Sequence, residues 1–121
     1  MTTMQQKLKW FGAQLAAAYS RTYHYCKPNS VQAPYAVWAE DSEASGGSFH
    51  ADNRKAEQII SGSLNYFTKT EYDSVVDDLQ DCLDVNRASW YLSSVQYEPE
   101  TGLIHFEWRW NIGKVQDSGA V

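Results

Sequence analysis

The feature that most constrains the fold is a strict two-residue alternation near the end of the sequence, LIHFEWRWNI at residues 103–112. Successive side chains of a β-strand point to opposite sides of the sheet, so this period of two predicts a strand with one apolar and one mostly polar face. The apolar set consists of Ile104, Phe106, Trp108, Trp110 and Ile112. The linker EPETG, which contains Pro and Gly, joins this strand to SWYLSSVQY at residues 89–97. The pattern predicts a C-terminal hairpin over residues 89–112.

Two segments have apolar residues at helical spacing. The first predicts an N-terminal helix over residues 4–20, with Thr2 or Thr3 as its cap. The second predicts a helix over residues 71–86, in which Thr70 followed by Asp73 resembles a capping box. A short strand is predicted at 34–40 and a long strand at 54–69. A flexible polar loop is predicted between them at 41–53, and a flexible tail at 113–121.

This order of elements predicts an α+β fold in a single domain over residues 1–112. We expect an antiparallel sheet of about four strands, packed against helices on one face. A chain of 121 residues buries enough surface for one core, and its 14% aromatic content supplies large apolar side chains.

Charge and cysteine content narrow the function. The formal net charge is −5 and the ten basic residues form no tract, which argues against a phosphate-binding surface. The two cysteines form no metal-binding or disulfide pattern, although a disulfide between them stays possible from sequence alone. The sequence begins without an apolar signal segment and has no membrane-length apolar run. We therefore expect a reduced, intracellular, soluble protein.

The sequence contains no signature of catalysis. His50 and Asp52, with Asp41 and Glu43, could hold a metal ion, but a solvated polar loop is the stronger interpretation. Cys26 lies near His24 without a pattern that would activate it as a nucleophile. We predict that the protein is not an enzyme and holds no metal or cofactor.

The predicted second helix is strongly acidic, with Asp73, Asp77, Asp81 and Asp84 on one side and no Lys or Arg in residues 70–86. Like charges at this spacing destabilise an isolated helix slightly. The acidic side can be a solvated face, a contact for a basic partner, or a surface that repels the phosphates of passing DNA.

The central and C-terminal segments follow one order. A proline precedes an apolar strand at 34–38, and an Ala-Asp-Asn stretch follows an acidic loop at 49–53. A long strand ends in an aromatic residue and Thr at 65–69, an acidic helix follows at 72–83, and the hairpin closes the domain at 97–112. Over residues 30–112 this order resembles the siphophage tail-completion (tail terminator) proteins.

The resemblance implies a structural virion protein. Such proteins form a ring, typically hexameric, that caps the head-proximal end of the tail tube, ends tube growth and joins the head connector. The implied partners are the tail tube protein, the head-completion (connector) protein and further copies of the chain. DNA passes the lumen without specific binding, and no membrane is involved. The implied location is the virion, and the host cytoplasm before assembly. The candidate interface residues are Asp41, Glu43, Phe49, His50, Asp52, Asp77, Asp81 and Asp84.

A second hypothesis of a different class fits the same charge. A small acidic binding module, such as a phage-encoded inhibitor, could use carboxylates to imitate DNA phosphates and block a host nucleic-acid enzyme. Asp77, Asp81 and Asp84 would then form the contact.

Overall fold

The computed structural model describes residues 3–44, 49–51 and 54–115. Within these residues the chain forms two helices and six strands: α1 (Met4–Ala18), β1 (Thr22–His24), β2 (Tyr35–Glu43), β3 (Phe49–Ala51), β4 (Arg54–Thr68), α2 (Ser74–Val85), β5 (Ser89–Glu98) and β6 (Leu103–Val115). The predicted α+β class in one small domain is confirmed, since both helices pack on a single sheet.

The sheet has the strand order β1-β2-β4-β6-β5, and β3 pairs with β4 outside this path. All neighbouring strands are antiparallel except β1 and β2, which are parallel. The sheet is therefore mixed and has six strands, which corrects the prediction of about four antiparallel strands. The two additional strands, β1 and β3, have only three residues each, too few to produce a readable pattern.

The predicted hairpin of β5 and β6 is confirmed. β6 lies between β4 and β5, and both neighbours pair with it along most of its length. Trp108, Trp110 and Ile112 are buried beneath the helices, and Phe106 packs against the edge of the same core. The alternation in the sequence thus identifies the face of β6 that forms the core.

The first helix, α1, begins and ends where local chemistry dictates. Thr3 caps it, and Gln6 completes a capping box: the Gln6 amide donates to Thr3 Oγ1 at 3.1 Å, and the Thr3 amide donates to Gln6 Oε1 at 2.9 Å. The helix ends at Ala18, two residues before the predicted end, because Tyr19 adopts an extended backbone. Its buried residues, Leu8, Phe11 and Leu15, face the sheet.

The second helix begins later than predicted. α2 starts at Ser74 and its cap is Asp73, whose side chain accepts from the Val75 amide at 3.0 Å. The predicted start at residue 71 and the predicted cap at Thr70 are therefore wrong. Tyr72 has a φ of 58°, a left-handed conformation that cannot continue a helix.

Two predicted flexible segments are partly strand. β2 continues through Glu43, after a bulge between Glu40 and Ser42, because its backbone keeps pairing with β4. Residues 49–51 form β3, so the predicted loop over 41–53 is wrong at both of these places. Residues 113–115 extend β6 rather than starting a tail. The rest of the predicted tail, 116–121, lies outside the described residues.

Candidate interaction surfaces

Asp41 lies in an ion pair on the face of the sheet that the helices leave uncovered. The Arg109 guanidinium donates to both Asp41 carboxylate oxygens, at 2.6 and 2.9 Å, and also to Ser61 Oγ at 3.2 Å. These hydrogen bonds from Arg109 are the main reason that the pKa of Asp41 is lowered. Asp41, a predicted interface residue, therefore forms an ion pair within the molecule that links β2 to β6.

Three other candidates from residues 41–53, Glu43, Phe49 and His50, lie in strands that pair with β4. Glu43 ends β2 opposite Ile60 of β4, and the Phe49 and His50 backbones pair with β4 within β3. Asp52 lies outside the described residues. No group of three His, Cys, Asp or Glu side chains within the described parts of the chain comes together as a metal site.

The carboxylates of α2 have different surroundings. Asp73 points inward, where the hydroxyls of Tyr66 and Thr68 each donate to it at 2.7 Å. Burial raises the pKa of Asp73, but the hydrogen bonds outweigh this effect and the pKa is lowered. Asp84 accepts from Trp90 Nε1 at 2.7 Å. Asp77 and Asp81 are exposed, and the predicted single acidic face is therefore divided among several roles.

An apolar depression with an acidic rim lies at the start of α2. We call it the acidic pocket; it has a volume of about 440 Å³ and is lined by Glu71, Tyr72, Asp73, Val76, Asp77, Ile104 and Phe106. Tyr72 is 95% exposed, although aromatic side chains usually bury much apolar area. Its backbone is left-handed, with a φ of 58°.

A second depression lies at the other end of α2 and has the opposite charge. We call it the basic pocket; it has a volume of about 340 Å³ and is lined by Lys7, Trp10, Val85, Asn86, Arg87, Ile112 and Gly113. The Lys7 ammonium lies 4.5 Å from the centre of the Trp10 ring, in a cation–π contact. Val85 is 77% exposed, so the pocket combines positive charge with accessible apolar surface.

The strand β5 forms an edge of the sheet and carries large exposed apolar side chains. Leu92, Val95 and Tyr97 lie opposite Trp108, Phe106 and Ile104 of β6, and therefore share the helix side of the sheet. They are 43%, 50% and 64% exposed because α2 does not extend over them. We call Leu92, Val95 and Tyr97 the β5 edge surface.

A compact polar and aromatic cluster ties β1 to β2. The His24 ring is stacked between Tyr25 and Trp38, with centroid distances of 3.8 Å to each. His24 Nε2 lies 2.8 Å from Glu40 Oε1, and the Tyr25 hydroxyl donates to the other Glu40 oxygen. Burial raises the pKa of Glu40, but these hydrogen bonds outweigh it and lower the pKa. The cluster fixes the three-residue strand β1, which has few backbone bonds of its own.

Within the described residues, neither cysteine sulfur forms a hydrogen bond with a histidine or a carboxylate. The Nε2 atom of His24 is paired with Glu40, and the link from Cys26 to His24 is a backbone bond from the Cys26 amide. Cys82 is buried, and burial raises the pKa of its thiol. A raised pKa keeps a thiol protonated and poorly reactive.

Comparison with models of known protein families and with curated protein sequences finds no match to this chain. Neither helix in the described parts of the chain is long and apolar enough to span a membrane.

Sequence reasoning located the acidic helix but missed both pockets. Lys7 and Arg87 are distant in sequence, and only the packing of α1 beside α2 brings them together. Tyr72 combines high exposure with a left-handed backbone, and a Tyr in the sequence signals neither. An excess of exposed apolar residues was detectable in β5, since SWYLSSVQYE contains only one charged residue.

Proposed function

We propose that the protein is a structural subunit of a siphophage tail that caps the head-proximal end of the tail tube as a ring. In this role it ends tube growth and joins the tail to the head connector. Its place would be the virion, at the junction of head and tail. The sequence resemblance over residues 30–112 supplies the class of assembly, and the β5 edge surface is the structural observation that carries the proposal.

Among the features by which sheet edges avoid association, the β5 edge has only a shift in register between Leu92 and Ser94. Natural edge strands are blunted by Lys, Pro, short length or inward-pointing charges, since unpaired backbone groups offer a template for another chain. β5 has ten residues, no Lys, Arg or Pro, and a single acidic residue at its end. Leu92, Val95 and Tyr97 add apolar area beside this edge. Such a surface is typical of a protein–protein contact.

The charge of the chain is compatible with DNA passing beside it. A net charge of −5 provides little electrostatic attraction for phosphates, whose binding requires clustered basic side chains. The two basic residues of the basic pocket, Lys7 and Arg87, are too few to form a stripe that would hold a duplex.

Binding to purified tail tubes tests the proposal. We expect the wild-type chain to bind tube ends in electron micrographs, and to limit tube length when present during tube assembly. A Leu92→Lys, Val95→Lys variant should lose end binding, because two ammonium groups would disrupt the β5 edge surface. Gln96→Lys is the matched control, since Gln96 is exposed on the opposite face of the same strand.

Two results would contradict the proposal. The first is a wild-type chain that neither binds tube ends nor affects tube length. The second is a double Lys variant that retains its fold and still binds like the Gln96→Lys control, which would remove the β5 edge surface from the contact.

A second candidate function rests on the free carboxylates of α2. Asp77, Asp78 and Asp81 are exposed and make no hydrogen bond or ion pair within the described residues. An inhibitor that imitates DNA would present carboxylates in this way. It would co-purify with a host nucleic-acid enzyme, and changing these three residues to Asn would abolish that association.

A further inference from the structure

We propose that neighbouring copies of the chain join head to tail through the two ends of α2. The acidic pocket of one copy, with the exposed ring of Tyr72, docks on the basic pocket of the next copy. This inference rests on the proposed ring, and it names the surfaces that join one subunit to the next.

The charges of the two pockets are complementary. Glu71 and Asp77 are exposed at the rim of the acidic pocket, and neither has a basic partner within the described residues. Lys7 and Arg87 border the basic pocket, and neither forms an ion pair with a described carboxylate. Two acidic side chains therefore match two basic ones, which favours a specific register between copies.

The apolar parts of the two surfaces also match. Tyr72 projects from the acidic pocket, and aromatic residues of this kind frequently anchor protein interfaces. The basic pocket has room for such a ring, with the half-exposed Trp10 and the exposed Val85 at its border. Because Lys7 already lies over the Trp10 ring, an incoming aromatic ring would meet a preformed cationic and apolar site.

The positions of the pockets decide the kind of assembly. α2 has twelve residues, so the two pockets are separated by about 18 Å along its axis. A contact between opposite ends of the same helix joins two different surfaces, which makes it heterologous. Heterologous contacts form closed rings or open chains rather than two-fold dimers. The β5 edge surface takes no part in this contact and remains available for the tail tube.

Two charge-reversal variants test the contact, because each should weaken association alone and the two should restore it when mixed. One variant carries Lys7→Glu and Arg87→Glu, and the other carries Glu71→Lys and Asp77→Lys. Native mass spectrometry and sedimentation velocity would measure association, with tail tubes added if the wild-type chain assembles only on them. Each variant alone should associate about a hundredfold more weakly, because like charges then face each other. An equimolar mixture of the two should restore association, since every contact again joins opposite charges.

Further variants separate the contact from effects on folding. Tyr72→Asn removes the ring while keeping a residue that accepts a left-handed backbone, and should weaken association in a chain with unchanged circular dichroism. Lys9→Glu with Asp78→Lys is the control, because these reversals alter exposed charges outside both pockets.

The outcomes distinguish this inference from the proposed function. Reversal variants that associate like the wild type, or a mixture that fails to restore association, would overturn the head-to-tail contact alone. A wild-type chain that assembles neither in solution nor on tail tubes would overturn the proposed ring, and the contact with it.

Discussion

Replacing Asp73 by Ala should destabilise the fold more than any other single carboxylate change in α2. Asp73 caps the helix through the Val75 amide, and loss of such a cap costs about 1 kcal/mol. Its carboxylate also accepts from the hydroxyls of Tyr66 and Thr68, whose side chains are 0% and 1% exposed. Leaving a buried donor without an acceptor costs at least about 1 kcal/mol each. The expected loss is about 3 kcal/mol, a large part of the stability of a typical domain.

Urea denaturation followed by tryptophan fluorescence measures this loss, because Trp108 and Trp110 are buried and report on the core. Asp73→Asn should cost about 2 kcal/mol, because the amide oxygen can still accept from the Val75 amide, whereas the amide NH2 group cannot accept from the hydroxyls of Tyr66 and Thr68. The pKa of Asp73 is lowered in the fold. Its ionised form therefore stabilises the protein at every pH above about 3.9, the ordinary pKa of an Asp side chain. That stabilisation is lost as the pH falls through the lower pKa of the folded state. The free energies of unfolding of the wild type and of Asp73→Ala should therefore become more similar at that pH.

Asp77→Ala is the matched control for Asp73→Ala. Asp77 lies in the first turn of the same helix and is exposed. Its replacement loses an interaction with the helix dipole of about 0.5 kcal/mol and relieves a repulsion from Asp81 of about 0.2–0.5 kcal/mol, so the net change should be close to zero. If the two Ala variants have the same free energy of unfolding, the hydrogen bonds from Tyr66 and Thr68 do not stabilise the fold and the reasoning is refuted.

Three further predictions follow from the sheet. Gly62→Ala should lower the free energy of unfolding by about 1–3 kcal/mol, because a Cβ there would overlap the backbone of β2; Gly113→Ala, which has open space, is the control in the same denaturation assay. Burial lowers the pKa of His105, so the neutral ring stabilises the fold at pH values above its ordinary pKa of about 6.5. This stabilisation is lost on acidification. The free energy of unfolding should therefore fall less between pH 7 and pH 5 in His105→Gln than in the wild type. Asp41→Asn should cost no more than about 1 kcal/mol, with a smaller cost at high salt, because the ion pair with Arg109 is partly exposed; a larger loss in thermal denaturation would contradict this.

The sequence predicts those elements whose conformation depends on their own residues and not on distant parts of the chain. The period of two in residues 103–112 depends only on the geometry of one strand, and the structure buries Trp108 and Trp110 on the predicted side. β1 was missed because three residues have no period, and its pairing depends on the distant strand β2. The polar residues Asp41 and Glu43 predict a loop where the structure has the end of β2. There the ladder with β4 and the Arg109 contact outweigh local preference.

The candidate surfaces were less predictable because they depend on backbone conformation and packing. A left-handed φ at Tyr72 and Arg87 places both side chains outside the core, at the two ends of α2. Neither residue type favours that conformation, so a sequence pattern cannot indicate it. The β5 edge surface was visible as a strand in the sequence. Whether α2 would cover it depended on where that helix begins and how it lies on the sheet.

The acidic character of α2 has more than one physical cause. Asp73 is required by the fold, since it caps the helix and accepts from two buried hydroxyls. Asp84 accepts from Trp90 and joins the end of α2 to β5. Asp77 and Asp81, four residues apart, make no contact of this kind within the described residues and repel each other by about 0.2–0.5 kcal/mol. The favourable interaction of Asp77 with the helix dipole roughly offsets this repulsion, and Asp81, beyond the first turn, has no such interaction. A basic surface on a neighbouring copy would account for Asp77 at the acidic pocket. Asp81 is exposed outside both pockets and adds to the negative charge of the surface.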